Sequence, residues 1–178
     1  MININETFKK RRGKKEGNHI EIKGVKETKT GEKLYIYSLS NIPSLHPEIK
    51  QAIAGEMERV SQGLVSSEHV LSQFEANIYN LFFALSEQGQ MVGYATVFPK
   101  EEKDFVYLNK IQVSSEERNK GIATIILRQI MESSNYISLI NIVSSPKVKE
   151  AMARLYTSLG FQTQDNISFN WKKGRQTI

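Results

Sequence analysis

Between Ile111 and Leu127 the chain reads IQVSSEERNKGIATIIL: a strand-like apolar end, a polar turn, then a helical run opening near Gly121. A helix start presents backbone N–H groups without intrahelical partners, together with the positive end of the helix dipole. A phosphate or pyrophosphate fits there when nothing bulky blocks its approach. Gly121 and Ala123 supply small side chains, while Arg118 and Lys120 place positive charge at the mouth. The same residues also describe an ordinary strand–turn–helix with surface charges, so alone they leave both readings open. Other chemistry is poorly served. Without cysteine there is no disulfide framework, thiolate zinc site or cysteine nucleophile. His19, His46 and His69 are scattered without paired metal spacing, and no metal is expected. Neither a G-x-S-x-G elbow nor a P-loop occurs.

The elements that must position this segment follow from hydrophobic periodicity. HIEIK (His19 to Lys23) alternates like a short strand, and a Thr30-Gly31 turn leads into the strand-like Leu34 to Leu39. Pro47 suits the first turn of a helix carrying Ile49, Ile53, Met57 and Val60 to about Leu64. Ser66 or Ser67 caps a second helix with Val70, Leu71, Phe74 and Ile78. The period then changes from 3.6 to 2. Leu81 to Ser86 and Met91 to Phe98 flank a Gln88-Gly89-Gln90 turn, which predicts an antiparallel hairpin. A charged loop precedes a third strand, Phe105 to Val113. A helix from Gly121 to Ser134 and a strand from Tyr136 to Ser144 follow, and that strand–helix–strand unit implies a parallel pair within a mixed sheet. After Pro146, Val148, Met152, Leu155 and Leu159 trace one stripe of a last helix, and Gly160 stands where a C-terminal cap belongs. Phe161 to Asp165 and Ile167 to Lys173 close the chain as two strands.

The 178 residues suit one domain, with residues 1–18 a flexible basic arm and 19–178 the folded body. The formal charge of +5 belongs wholly to residues 1–33, which hold ten basic and five acidic side chains. Most of that excess is KKRRGKK, Lys9 to Lys15. Such a run serves a nucleic acid or another anionic surface, or, as most terminal charge runs are, is simply solvated. The body is neutral and shows no electrostatic sign of nucleic-acid binding. The longest apolar run, Leu81 to Leu85, is far short of the ~20 residues that span a bilayer. A cytoplasmic protein without a membrane partner is expected, and strands near the C-terminus leave room for a homodimer.

Arg118-Asn119-Lys120-Gly121-Ile122-Ala123 fits the pattern of Arg or Gln, two residues, Gly, one residue, then Gly or Ala, five residues beyond Val113. Leu155-Tyr156 and Gly160-Phe161 fit a second pattern, A-x-x-L-Y-x-x-x-G-F, except that Met152 takes the alanine place between Ala151 and Ala153. In these two motifs and in its element order, the chain from about 34 to 173 resembles the GNAT superfamily of acyl-CoA-dependent N-acetyltransferases. The resemblance implies an α/β fold: a central, mostly antiparallel mixed sheet with a splayed parallel strand pair, flanked by helices. It implies acetyl-CoA as co-substrate, with the pantetheine arm paired to Ile111, Gln112 and Val113. The pyrophosphate would lie on the amides of Arg118, Asn119, Lys120, Gly121, Ile122, Ala123 and Thr124. An amine acceptor (small molecule, peptide N-terminus or lysine) would attack directly, with the Val113 amide holding the oxyanion and Tyr156 protonating the departing thiolate. Tyr156 also reads as a packed aromatic at the edge of the apolar stripe.

The general base has no obvious holder. The strand from Phe105 carries no carboxylate, and the next one offers only Asn141 and serines. Glu101, Glu102 and Asp104 precede the first of these and could face the acceptor site, but they read first as a solvated loop. Relatives often carry an asparagine at the start of the last core helix, where Lys149 stands here. A base acting through water fits these residues, as does a non-catalytic acyl-CoA-binding module.

Overall fold

In a computed structural model, which describes residues 20–99, 105–141 and 145–174, eight strands form one sheet. They are β1 (Ile20–Glu27), β2 (Lys33–Leu39), β3 (Asn80–Leu85), β4 (Met91–Pro99), β5 (Phe105–Val113), β6 (Tyr136–Ile140), β7 (Gln162–Thr163) and β8 (Ser168–Lys172). Their order is β1-β2-β3-β4-β5-β6-β8-β7, antiparallel throughout except for β5 and β6. Four α-helices accompany them: α1 (Pro47–Val60), α2 (Ser67–Glu75), α3 (Ile122–Glu132) and α4 (Pro146–Ser158). The expected mixed sheet with flanking helices is what the chain forms. The basic arm, His19 and the carboxylates of 101–104 lie outside the described residues.

Both faces of the sheet are covered, which is why β3 and β4 read as continuous apolar runs rather than alternating ones. On one face Leu81, Phe83, Leu85, Met91 and Tyr94 pack with Ile49, Ile53, Met57 and Val60 of α1 and Val70 and Phe74 of α2. On the other, Phe82, Ala84, Val92, Ala95, Val97 and Leu108 meet Ile122, Ile126, Leu127 and Ile130 of α3. Gly93 makes the second contact close. A Cβ there would stand 3.0 Å from the Gln112 carbonyl and 3.1 Å from the Ile122 side chain.

Three sequence expectations shift. The second helix stops at Glu75, leaving Ile78 exposed in the turn before β3 instead of on the apolar face. β7 is only two residues long, because Asp165 folds the chain into a turn by accepting from the backbone of Ile167 and Ser168 at 2.8 and 2.7 Å. In α4 the expected stripe is rotated: Val148 is 45% exposed, while Tyr156, at 5%, is the helix's one buried residue. An aromatic ring at the stripe's edge, tilted against Phe161 and Phe169, outweighs aliphatic periodicity.

Candidate active site

The parallel pairing of β5 with β6 lasts only from Phe105↔Tyr136 to Leu108↔Leu139. β5 continues to Val113, still paired to β4 on its other side, whereas β6 ends at Ile140. The divergence begins at a β-bulge. Thr96 pairs with Lys110 and Val97 with Leu108, leaving Asn109 as the extra residue. Asn109 is held there by donating from Nδ2 to the Thr96 hydroxyl at 3.1 Å.

Backbone direction in this stretch is set by one hydrogen bond. The Ser114 N–H donates to the Val92 carbonyl at 3.0 Å, toward β4. Peptide groups alternate sides along a strand, so the N–H and C=O groups of Val113 and Ile111 point the other way, into the side β6 has vacated. Gln112, opposite Tyr94, turns its backbone back to β4. Of the three strand residues expected to hold pantetheine, two present free backbone groups and the middle one does not.

Past Val113 a single 3-10 turn, Ser115–Glu117, leads into Arg118 and then two left-handed residues, Asn119 (φ 67°) and Gly121 (φ 86°), before α3 begins. Glycine suits that φ without steric cost. No side chain caps the helix start, and its first turn holds no acidic residue. Buried Ile122 anchors the turn, while Ala123 and Thr124 are half-buried beside it. The amides of this start are therefore aimed outward with a favourable dipole for an anion. Lys120 contributes less than its sequence position suggests. Its Nζ lies 2.8 Å from a Glu32 oxygen and 2.9 Å from a Glu117 oxygen. Glu32 lowers its own pKa through this contact and raises that of Lys120. Arg118 is exposed at the mouth. Lys29, absent from the sequence argument, lies with its Cγ 3.3 Å from the Cβ position of Gly121, and its backbone N–H donates to the Lys120 carbonyl at 3.1 Å. It arrives from the β1–β2 turn, remote in sequence, which is why no local motif exposed it.

Tyr156 packs against Phe161 and Phe169 with ring centroids 5.6 and 5.2 Å away. Burial pushes its hydroxyl pKa well above the usual phenol range, so it holds its proton at every physiological pH. Asn141 is structural. Its Nδ2 donates to the Lys149 carbonyl at 3.0 Å and ties the end of β6 to α4.

On the α1–α2 face, over the bulge, lies a pocket of about 330 Å³ whose lining includes His69, Tyr79, Tyr94, Thr96, Asn109 and Lys110. The Tyr79 and Tyr94 hydroxyls are buried there without a hydrogen-bond partner among the described residues. Leaving such a group unsatisfied costs about 1–3 kcal/mol. Burial raises both phenol pKa values, that of Tyr94 to about 12, and desolvation lowers that of Lys110.

Residues 78–163 match the family profile described as an acetyltransferase (GNAT) domain, and they include the bulged strand, the loop before α3 and Tyr156. This stretch is a GNAT acetyltransferase domain. The chain is 34% identical over 84 residues to an N-acetylaspartate synthetase from Danio rerio, covering 46% of this chain and 29% of that protein. It is 33% identical over 87 residues to an L-2,4-diaminobutyric acid acetyltransferase from Oceanobacillus iheyensis, covering 48% and 46%. The chain thus spans less than half the length of these curated relatives. A GNAT family N-acetyltransferase from Escherichia coli solved in complex with CoA shares its fold at a TM-score of 0.56, with 14% identity over 80% of this chain and 82% of that one. No group of three or more potential metal-ligating side chains occurs among the described residues. No helix among them is long and apolar enough to cross a membrane.

Proposed function

We propose that the protein is an acetyl-CoA-dependent N-acetyltransferase that transfers the acetyl group directly to an amine in a ternary complex. The observation that carries this is the unpaired β5 edge at Ile111 and Val113 running into the uncapped start of α3. Backbone N–H and C=O groups on that edge suit the two amides of a pantetheine arm. The amides from Arg118 to Thr124 suit its pyrophosphate. Arg118 adds charge at the mouth, and buried Ile122 keeps the helix start in place.

The reaction needs two aligned substrates, an oxyanion donor and two proton transfers. The amine, once deprotonated, forms a bond from nitrogen to the thioester carbonyl carbon, whose oxygen takes the electron pair. The Val113 N–H points into the gap and is the proposed donor to that oxygen. Re-formation of the carbonyl breaks the C–S bond. The departing thiolate takes its proton from Tyr156, whose buried hydroxyl stays protonated in the working range. The proton from the amine leaves through water in the pocket over the bulge, which His69 helps to line.

A second reading, a non-catalytic acyl-CoA-binding module, is favoured by one observation: neither β5 nor β6 carries a carboxylate. Thiol release from acetyl-CoA across a panel of amines decides between them. Turnover on at least one amine supports the enzyme. Saturable CoA binding with no turnover on any amine supports the module.

A further inference from the structure

The bulge at Asn109 reverses which face of the sheet the rest of β5 presents. Leu108, opposite Val97, packs in the α3 core, and simple alternation would send Lys110 to the same side. The extra residue instead sets Lys110 opposite Thr96, on the α1–α2 face with Tyr94. A strand built to bury Leu108 thereby aims a lysine into the pocket over the bulge.

The pocket's chemistry is one-sided. Lys110 is half-buried, and no ion pair to it is formed among the described residues. None of the described residues lining the pocket is a carboxylate. Tyr79 and Tyr94 line it at 2% and 0% exposure, with hydroxyls that have no hydrogen-bond partner among the described residues. The Thr96 oxygen already accepts from Asn109, so its own proton is directed elsewhere. Four donors thus converge with no anion to receive them. A polyamine or another acceptor that is cationic beyond its reacting nitrogen would find no counter-charge there.

Resting on the N-acetyltransferase reading, we propose that this pocket receives the acceptor and that the acceptor carries a carboxylate, bound by Lys110 with the Tyr79 and Tyr94 hydroxyls as further donors. The acceptor class is an amino acid or a close relative, its amine directed over the bulge toward the acetyl group. Burial that disfavours the lysine charge in the empty pocket is offset when the carboxylate arrives.

The test compares acetyl transfer to the standard amino acids and L-2,4-diaminobutyrate with transfer to each one's carboxamide, to spermidine and to a lysine peptide with blocked ends. The expected result is at least tenfold higher kcat/KM for the best acid than for its amide. Lys110→Met should then raise KM for the acid at least tenfold, leaving its kcat and the turnover of the amide within twofold. Equal use of acid and amide, or preference for spermidine or the blocked peptide, overturns the proposal. So does an equal fall in kcat for acids and amides in Lys110→Met, which would make Lys110 a proton carrier instead. If no amine is turned over while CoA still binds, the transferase reading fails by itself, and the pocket is judged by melting temperature in the presence of CoA. Amino acids, but not their amides, must then raise it in the wild type and not in Lys110→Met; no such shift overturns the proposal.

Discussion

The two faces of this sheet handle their polar groups in opposite ways. On the α3 face, the groups assigned to the cofactor are backbone: the Ile111 and Val113 amides and the loop from Arg118 to Gly121, all contiguous in sequence. One of its cations, Lys120, is already paired with Glu32 and Glu117. On the α1–α2 face the groups are side chains gathered from α2, β3's approach, β4 and β5, and the Tyr79 and Tyr94 hydroxyls have no hydrogen-bond partner among the described residues. A backbone site is set by local conformation and serves one ligand shape. A site of unpaired side chains is set by tertiary packing and can be retuned by single substitutions. Under the proposed function, cofactor binding falls to the contiguous segment and acceptor choice to the scattered one.

The largest effect should come from Tyr156→Phe. Loss of a general acid lowers kcat by about 100-fold or more, with the KM for acetyl-CoA nearly unchanged. A kcat that stays at the wild-type value from pH 6 to 9 would return Tyr156 to the role of packing aromatic. The hinge between the two faces is tested by Gly93→Ala. Its methyl would press on the Gln112 carbonyl and on Ile122. The overpacking should cost about 1–3 kcal/mol in urea unfolding and weaken CoA binding through α3 while sparing the acceptor KM.

Alkaline unfolding separates the faces next. A buried tyrosine whose folded pKa is raised adds its share of stability fully below its unfolded pKa of 10.0, and that share is lost as pH rises. For Tyr94 the loss runs from about pH 10 to its folded value of about 12, with a slope of about 1.4 kcal/mol per pH unit for each proton. The urea midpoint should therefore fall steeply above pH 10, and less steeply in Tyr94→Phe. Identical slopes would remove Tyr94 from the buried set. At neutral pH, Tyr79→Phe and Tyr94→Phe should leave the free protein as stable as the wild type or more so, by up to about 1 kcal/mol, because each removes an unsatisfied buried hydroxyl. Each should also raise the acceptor KM. The smallest effect should be that of Lys120→Ala, whose CoA affinity stays within about threefold because its charge is already balanced locally.

How much of this was legible in the sequence follows the same division. The Arg118–Ala123 and Leu155–Phe161 patterns are contiguous, and each reports a local backbone need: a left-handed glycine, a helix start, a helix end. The order of elements along the chain and the parallel β5–β6 pair follow from period changes in the sequence. The acceptor pocket had no such signal. Without the bulge at Asn109, alternation places Lys110 on the wrong face, and nothing local marks Asn109 as the extra residue. His69 was legible only as a scattered histidine, and Lys29 reaches Gly121 through a turn formed far upstream. The rotated stripe of α4 shows the same limit, since a tyrosine at its edge claims the core once Phe161 and Phe169 are in place.

The most direct test of the account is an amide NMR titration of the protein with CoA. The alternation of β5 predicts large shift changes at Ile111 and Val113 and at Gly121 to Thr124, with the Gln112 amide, turned toward β4, changing far less. Equal changes at Ile111, Gln112 and Val113, or changes centred away from β5 and the start of α3, would contradict it.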